Sequence, residues 1–299
     1  ARAFTKAMGF TQDDLAKPVI GIAQTWSEFN NCNAHFRQVA EAVKRGVWQE
    51  GGLPLEFPTI SLGEVHVQPT TMLFRNLMAM DTEEMIRAQP MDAVVLLAAC
   101  DKTTPAALMG AASADVPAIM VSGGPMLNGR HDGRELGACT DCGRATAELR
   151  AGTIDATEYS AIEDAICRSA GSCMVMGTAS TMASMAEALG MALPGNAAIP
   201  APDSRRLQFA EMSGRQAVRI ARAGLRPSQV MTEVSFENAI RVLMAIGGST
   251  NAVVHLVAIA GRLGIRLPLD RFDAISRDTP WLVNLKPSGE FQMEELFDA

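Results

Sequence analysis

Three cysteines stand where metal-dependent chemistry could be built: Cys32 in FNNCNAH, Cys100 in AACDKTTP and Cys173 in SAGSCMVMGTAS. Each is flanked by small or polar residues that leave room for a bulky group. Thiolates on three separated loops can hold iron and sulfide, and leave one iron position open to act as a Lewis acid. The separations, 68 and 73 residues, form no local ligand motif. A cysteine taken singly is more often a small buried hydrophobe, so both readings stand on these residues alone.

Asp101 and Lys102 follow Cys100 directly, and Glu64 lies in ISLGEVHVQPTT behind Gly63. Two carboxylates on one rim can bind Mg²⁺ through oxygen. An adjacent ammonium would repel the cation unless it is paired in a salt bridge, or carbamylated and so turned into a carboxylate ligand. A solvated Asp–Lys pair is the plainer alternative. The apolar run at 93–99 that feeds into it argues against that exposure.

Cys139 and Cys142, in ACTDCGR, form the only C-x-x-C. A zinc site would need a second pair, and a thioredoxin-like motif would need a strand-to-helix setting. This pair is expected in a Gly-rich charged loop with a structural role. Cys167 shares helical spacing with Ile162 and Ile166 and is expected in the core. His66 could face a substrate, His255 on an apolar helix belongs in the core, and His35 and His131 complete a scattered set. No Ser/His/Asp grouping emerges, and the G-x-G-x-x-G and P-loop signatures are absent.

These residues must be positioned by regular elements. Strands are predicted at 18–23, 94–98 and 117–122, and helices at 34–50, 72–87, 105–114, with Pro105 in its first turn, and 177–189. The alternation indicates an α/β fold with a parallel sheet flanked by helices. Ligands of such sheets gather beyond the C-terminal strand ends. Cys32 follows the first strand, Cys100 ends another, and SGGP at 122–125 follows a third, so the chemistry points to one rim. Residues 211–263 read as mostly helical around GGSTN at 247–251, where Ser249 or Thr250 can cap a helix. Segments 123–133 and 194–202 read as loops within a domain.

The chain has 299 residues, 48% hydrophobic and 20% charged, with a net charge of -7. No basic run supplies the footprint of a nucleic-acid or anionic-membrane partner. An anionic substrate would therefore need local help from a metal or from helix N-termini. No apolar stretch approaches about 18 residues and no signal-type segment appears, so a cytoplasmic protein is expected. Six cysteines in such a chain suggest reduced thiols or metal ligands rather than a secreted disulfide scaffold. The chain begins without Met inside a helix-like stretch from Ala1 and stops at Ala299 without a cap, so it reads as a fragment truncated at both ends.

PVIGIAQTWSEFNNCNAHF, GEVHVQPTTM, AACDKTTPAALMGAA, PAIMVSGGPM, AGSCMVMGTASTMASMAEALGMALPG and AIGGSTNAVVHL occur in that order over nearly the whole chain. Together they resemble the dihydroxy-acid dehydratase and 6-phosphogluconate dehydratase family. The stretch ISLGEVHVQPTTMLFRNLMAMDTEEMIRAQ is similar to the sugar-acid (aldonate) branch, such as L-arabinonate or D-xylonate dehydratases. The branched-chain branch usually has Asp-Gly where this chain has Gly63-Glu64.

The resemblance implies a [2Fe-2S] cluster on Cys32, Cys100 and Cys173, and Mg²⁺ on Glu64, Asp101 and a carbamylated Lys102. It implies a hydro-lyase that converts a small-molecule sugar acid to a 2-keto-3-deoxy acid, working as a homodimer or tetramer. Residues 1–299 would form the N-terminal α/β domain of a chain about twice as long. In the family a C-terminal β-barrel-like domain supplies the serine base and a further acidic metal ligand. Neither has a counterpart here, so the isolated chain is expected to be inactive. The competing readings are a dihydroxy-acid dehydratase of branched-chain amino-acid synthesis and a non-catalytic iron–sulfur α/β protein.

Overall fold

Ala-Val-Val-Leu-Leu-Ala at 93–98 shows no alternation of apolar and polar residues because both faces of that strand are covered. In the computed structural model, which describes residues 2–299 apart from the side chain of Cys139, this segment is the third of four parallel strands. The chain runs α1 (Arg2–Ala7), β1 (Val19–Gln24), α2 (Phe36–Gln49), β2 (Leu53–Pro58), α3 (Arg75–Ala88), β3 (Ala93–Ala98), α4 (Thr103–Ala114) and β4 (Ala118–Ser122). A hairpin follows, β5 (Gly129–His131) and β6 (Arg134–Leu136). The rest is helical: α5 (Ala138–Ala151), α6 (Ala156–Ile166), α7 (Thr178–Ala188), α8 (Ser204–Ala223), α9 (Pro227–Val230), α10 (Glu233–Ala245), α11 (Asn251–Arg262), α12 (Leu269–Asp278) and α13 (Met293–Asp298).

The sheet order is β2-β1-β3-β4, with Ile22 opposite Val95 and Leu96 opposite Met120. Parallel neighbours cannot be joined by tight turns, so α2, α3 and α4 carry the crossovers. The path leaves β1 to one side for β2 and then returns to its other side for β3. A crevice therefore opens between the C-terminal ends of β1 and β3, where this topology places ligands. Cys32 and Cys100 follow those two strands.

Strand β2 was not anticipated from the sequence, because Pro54 and Pro58 argue against a strand. Its edge position removes the conflict, since one side of an edge strand needs no ladder hydrogen bonds. The hairpin corrects the reading of 123–133 as loop throughout. Asp132 and Gly133 both take positive φ (48° and 74°), the two-residue turn that Asp-Gly favours between antiparallel strands.

The strands' period of two builds two cores. Val94, Leu96 and Ala98 join Met78, Leu108 and Met120 beneath α3 and α4, and Met182, Phe236 and Leu256 from α7, α10 and α11 extend that core outward. Ala93, Val95 and Leu97 face Phe36, Val43 and Val218 of α2 and α8. Among the described residues no helix is long and apolar enough to cross a membrane.

Helices α2 and α8 meet through reciprocal glycines. A Cβ on Gly46 would lie 1.9 Å from the Glu211 carbonyl oxygen, and one on Gly214 would lie 2.2 Å from that of Val43. The obstacle is backbone in both cases, so no rotamer can relieve it. Alanine favours a helix by about 1 kcal/mol over glycine, but overpacking costs up to about 3 kcal/mol or more. Gly214→Ala should therefore lower stability by about 2 kcal/mol in denaturant unfolding. An unchanged midpoint would mean that the helices do not approach this closely.

Candidate active site

Cys32 sits on the short 3-10 turn Asn31–Asn33, which is held by polar side chains rather than by apolar packing. The Cys32 N–H donates to Asn30 Oδ1 at 3.2 Å. Asn33, fully buried, donates to the Thr25 carbonyl and to Ser61 Oγ, each at 3.0 Å. Thr25 Oγ1 in turn donates to the Leu97 carbonyl at 2.6 Å, tying the turn to β3. His35 donates from Nε2 to the Gly123 carbonyl at 2.9 Å. Burial holds its imidazole neutral, with the pKa lowered to about 4.

Cys100 occupies the step from β3 to α4 with φ 82°, a backbone region that a non-glycine residue rarely adopts. That turn brings the N–H groups of Glu64 and Asp101 onto its sulfur. Its thiol is pulled below the usual range, chiefly by a hydrogen bond from Cys32. The Cys32 thiol is pushed up by that bond, by burial, and by the charges of Cys100, Cys173 and Asp101.

Cys173 comes from a loop laced to both neighbours. The Ser172 N–H donates to the Gly124 carbonyl at 2.9 Å, and the Gly171 N–H to the Asn31 carbonyl at 3.2 Å. Gly171 has φ 127°, and a Cβ there would lie 2.7 Å from the Met126 nitrogen, so the lacing requires glycine. Among the described residues, these three thiols are not gathered within the 4.8 Å span of a single-ion site.

Lys102 is 5% exposed, and its Nζ lies 3.2 Å from Glu64 Oε2 and 3.4 Å from Asp101 Oδ2. The solvated Asp–Lys pair is therefore excluded, and the lysine sits in a buried bridge between two acids. Glu64 also accepts from Thr70 Oγ1 at 2.6 Å, from the Thr71 N–H at 3.2 Å and from the Thr71 hydroxyl. Burial raises the Glu64 carboxyl, but these hydrogen bonds and the Lys102 charge outweigh it and hold the group below its ordinary value. Asp101 shifts upward, through burial first and Glu64 second, against the pull of Lys102 and a bond from the Ala179 N–H. An anionic pair at such a site is stabilised by a cation between its oxygens, and the donor set is one that Mg²⁺ accepts.

Cys32, Cys100, Cys173, Glu64 and Asp101 all line one cavity of about 720 Å³. Lys102 stands behind the carboxylates. The N-termini of α7 and α11 open onto the same space through residues 177–180 and 247–250, and that of α4 begins beside Asp101. Three helix dipoles thus direct positive potential into the cavity of an acidic protein. Thr178 Oγ1 and Ser249 Oγ are 3.0 Å apart, and Asn251 Nδ2 donates to Thr178 Oγ1 at 3.0 Å, so these two helix starts are fastened together. Thr250 occupies the N-cap position of α11 without a side-chain cap bond, and Ser249 Oγ accepts from the Asn251 N–H at 3.3 Å.

Cys167 is exposed and lines the cavity, contrary to its expected place in the core. Helix α6 ends at Ile166, so the spacing set by Ile162 stops one residue short of it. Cys142 is the fifth residue of α5, shortly after β6, rather than in a loop, and is exposed. The Cys139 side chain lies outside the described residues. His66 is exposed and does not line the cavity. His255 is buried as expected, with Nδ1 accepting from Arg75 at 2.9 Å. Its Nε2 has no partner among the described residues. Sequence reasoning also missed His131, whose Nε2 is 2.8 Å from Glu158 Oε1 and which forms a compact group with Asp132 on the hairpin.

A doubly crossed parallel sheet with thiols and carboxylates gathered at its switch point defines an α/β domain with its ligand site beyond the C-terminal strand ends. Residues 17–299 match the family described as dihydroxy-acid/6-phosphogluconate dehydratase N-terminal, and the chain belongs to that family. It is 57% identical over its whole length to an L-arabonate dehydratase of Azospirillum brasilense, covering 51% of that protein. It is 54% identical over its whole length to an L-arabinonate dehydratase of Rhizobium leguminosarum bv. trifolii, covering 52% of it. A dihydroxy-acid dehydratase of Pyrococcus abyssi is 42% identical over 307 aligned positions that take in the whole chain and 55% of the relative. The chain spans about half the length of the curated relatives it matches.

Two histidines held as neutral rings, His255 buried and His35 partly buried, make the protein sensitive to acid. The pKa of His35 is lowered to about 4 and that of His255 to about 3, both by burial first. The stability they contribute is fully present above about pH 6.5, their unfolded value, and declines as pH falls toward the folded values. His35 alone accounts for roughly 3 kcal/mol across that window. Thermal unfolding should show a falling Tm between pH 6.5 and 4, and a flat Tm would refute the buried neutral assignment.

Proposed function

We propose that this chain is the iron–sulfur- and Mg²⁺-bearing N-terminal domain of a sugar-acid dehydratase. The observation that carries the reading is the meeting of three thiols with the Glu64 and Asp101 carboxylates, bridged by the buried Lys102, around one cavity at the sheet's switch point. In the proposed assignment Cys32, Cys100 and Cys173 hold a [2Fe-2S] cluster, while Glu64, Asp101 and a carbamylated Lys102 hold Mg²⁺. When bound, these groups supply Lewis acidity to a substrate's oxygens.

The reaction removes the C2 proton and the C3 hydroxyl of an aldonate. The resulting enol tautomerises to a 2-keto-3-deoxy acid. The chain's own residues would bind and orient. The positive ends of α4, α7 and α11 attract the anionic substrate, and Thr178, Ser249 and Thr250 offer hydroxyl groups to its polyol chain. Thr70 and Thr71 fix the Glu64 carboxylate, and the apolar lining at Met126, Val175 and Met176 limits water. The proton-abstracting base is assigned to the part of the whole protein outside residues 1–299, so the isolated chain should show no turnover. Identity above 50% to aldonate dehydratases favours a sugar acid over a branched-chain acid.

Full-length protein purified anaerobically should be brown, contain iron and sulfide, and form 2-keto acid from at least one aldonate in a panel. A colourless, iron-free protein that still dehydrates aldonates would sink the cluster assignment. Brown protein with no turnover on any aldonate would favour a non-catalytic iron–sulfur role. Lys102→Ala should weaken Mg²⁺ binding and lower turnover by about 10-fold or more while leaving cluster absorbance unchanged. Loss of the absorbance would instead put the lysine on the iron side.

A further inference from the structure

Arg206, on α8, is the largest fully buried side chain among the described residues, yet none of its hydrogen-bond partners there is a carboxylate. Nη1 donates to the Ser122 carbonyl at 2.9 Å, to Ser122 Oγ at 3.3 Å and to Asn196 Oδ1 at 2.6 Å. Nη2 donates to the Ile199 carbonyl, and Nε has no partner among the described residues. The acids that influence it from a distance are occupied elsewhere. Asp203 pairs with Arg205, and Glu187 accepts from the Gly195 and Ala197 N–H groups. A buried cation bonded only to neutral acceptors is expensive, so the fold must gain something from its charge.

Its location identifies what that is. A Cβ on Gly124 would lie 2.5 Å from Arg206 Nη2, so the guanidinium rests against the SGGP loop. The same loop touches all three thiol-bearing segments. A Cβ on Gly123 would lie 3.1 Å from the Cys32 carbonyl and 2.7 Å from Ala99, the residue before Cys100. The Gly124 carbonyl accepts from both the N–H and the hydroxyl of Ser172, the residue before Cys173. One loop thus separates the buried Arg206 guanidinium from three convergent thiols.

We propose that Arg206 is the internal counter-charge of the thiolate set: a positioning residue that stabilises the anionic iron–sulfur centre held by Cys32, Cys100 and Cys173 and raises its reduction potential. This rests on the cluster assignment above. Each added electron increases the negative charge of the centre, so a fixed cation nearby favours the reduced form. The guanidinium's fork also holds the Ser122 and Ile199 carbonyls, which shapes the loop, but hydrogen bonding alone would not move a potential in proportion to charge.

The test uses full-length protein and separates charge from shape. Asn196→Asp places a carboxylate on the guanidinium at an existing hydrogen bond, neutralising the charge with little change in volume. Arg206→Lys keeps the charge and loses the fork, and Arg206→Gln loses the charge. Iron and sulfide content, the rate of iron loss to a chelator, and the midpoint potential in a dithionite titration are measured for each. Asn196→Asp and Arg206→Gln should shift the potential to more negative values and lose iron several-fold faster, while Arg206→Lys stays near wild type in potential. Because Asn196→Asp retains every partner of the arginine, its result stands even if Arg206→Gln does not fold. Wild-type potential and iron retention in Asn196→Asp would overturn the counter-charge role alone. Equal shifts in Arg206→Lys and Arg206→Gln would overturn it in favour of loop shaping. A wild type that reconstitutes no iron would overturn the cluster assignment, and this proposal with it.

Discussion

The left-handed backbone at Cys100 is the constraint on which the site depends. Three consecutive side chains emerge there in three directions. The thiol meets Cys32, the Asp101 carboxylate meets the first turn of α7, and the Lys102 ammonium turns inward to Glu64. An ordinary strand-to-helix passage would send neighbouring side chains to opposite sides and separate the thiol from the acid. Holding a non-glycine residue in this region costs on the order of 1–3 kcal/mol, and the packed ends of β3 and α4 must impose it. Glu64 completes the junction, since its N–H reaches the Cys100 sulfur while its carboxylate reaches Lys102. The sulfur-rich and oxygen-rich halves of the site therefore share one residue's backbone and side chain.

Electrostatics follow from this crowding. The protein carries a net charge of -7, and its cavity of about 720 Å³ concentrates thiols and carboxylates. Positive potential reaches that cavity from the N-termini of α4, α7 and α11, from Lys102, and from Arg206 behind the SGGP loop. None of these is a surface cation. Salt screens exposed charges within about 10 Å, but it acts much less on charges enclosed by protein. The positive potential at the site is thus a local property that the overall charge conceals.

Much of this was legible in the sequence, and the misses have physical causes. β1, β3 and β4 were found because buried parallel strands read as unbroken apolar runs. β2 was missed because its two prolines are compatible with a strand only at an edge, and edge position is decided by topology. The thiols and carboxylates that line the cavity were recognisable by type, and their gathering followed from the rule that loops after parallel strands share a rim. The burial of Lys102 could not be read locally, since it depends on Glu64, 38 positions earlier in the chain. Arg206 gave no signal in its own neighbourhood, where SRRLQF reads as an ordinary polar helix start. Its charge matters through a loop more than 80 residues away, Ser122 being its nearest strand-end partner. Cys167 shows the opposite error, a periodic pattern extended one residue beyond the helix that generated it.

The two edges of the sheet carry a consequence for how this protein can associate. On one side, β2 lacks N–H groups at Pro54 and Pro58. On the other, the N–H of Met120 in β4 is already taken by the Met191 carbonyl at 2.6 Å, and the Ser122 carbonyl accepts from Arg206 Nη1 at 2.9 Å. Neither edge offers an open ladder to an incoming strand, so templated growth of the sheet by another chain is closed off at both ends. At this sheet, contact with another chain falls to the side chains of the helices and loops that flank it, where shape and charge select the partner.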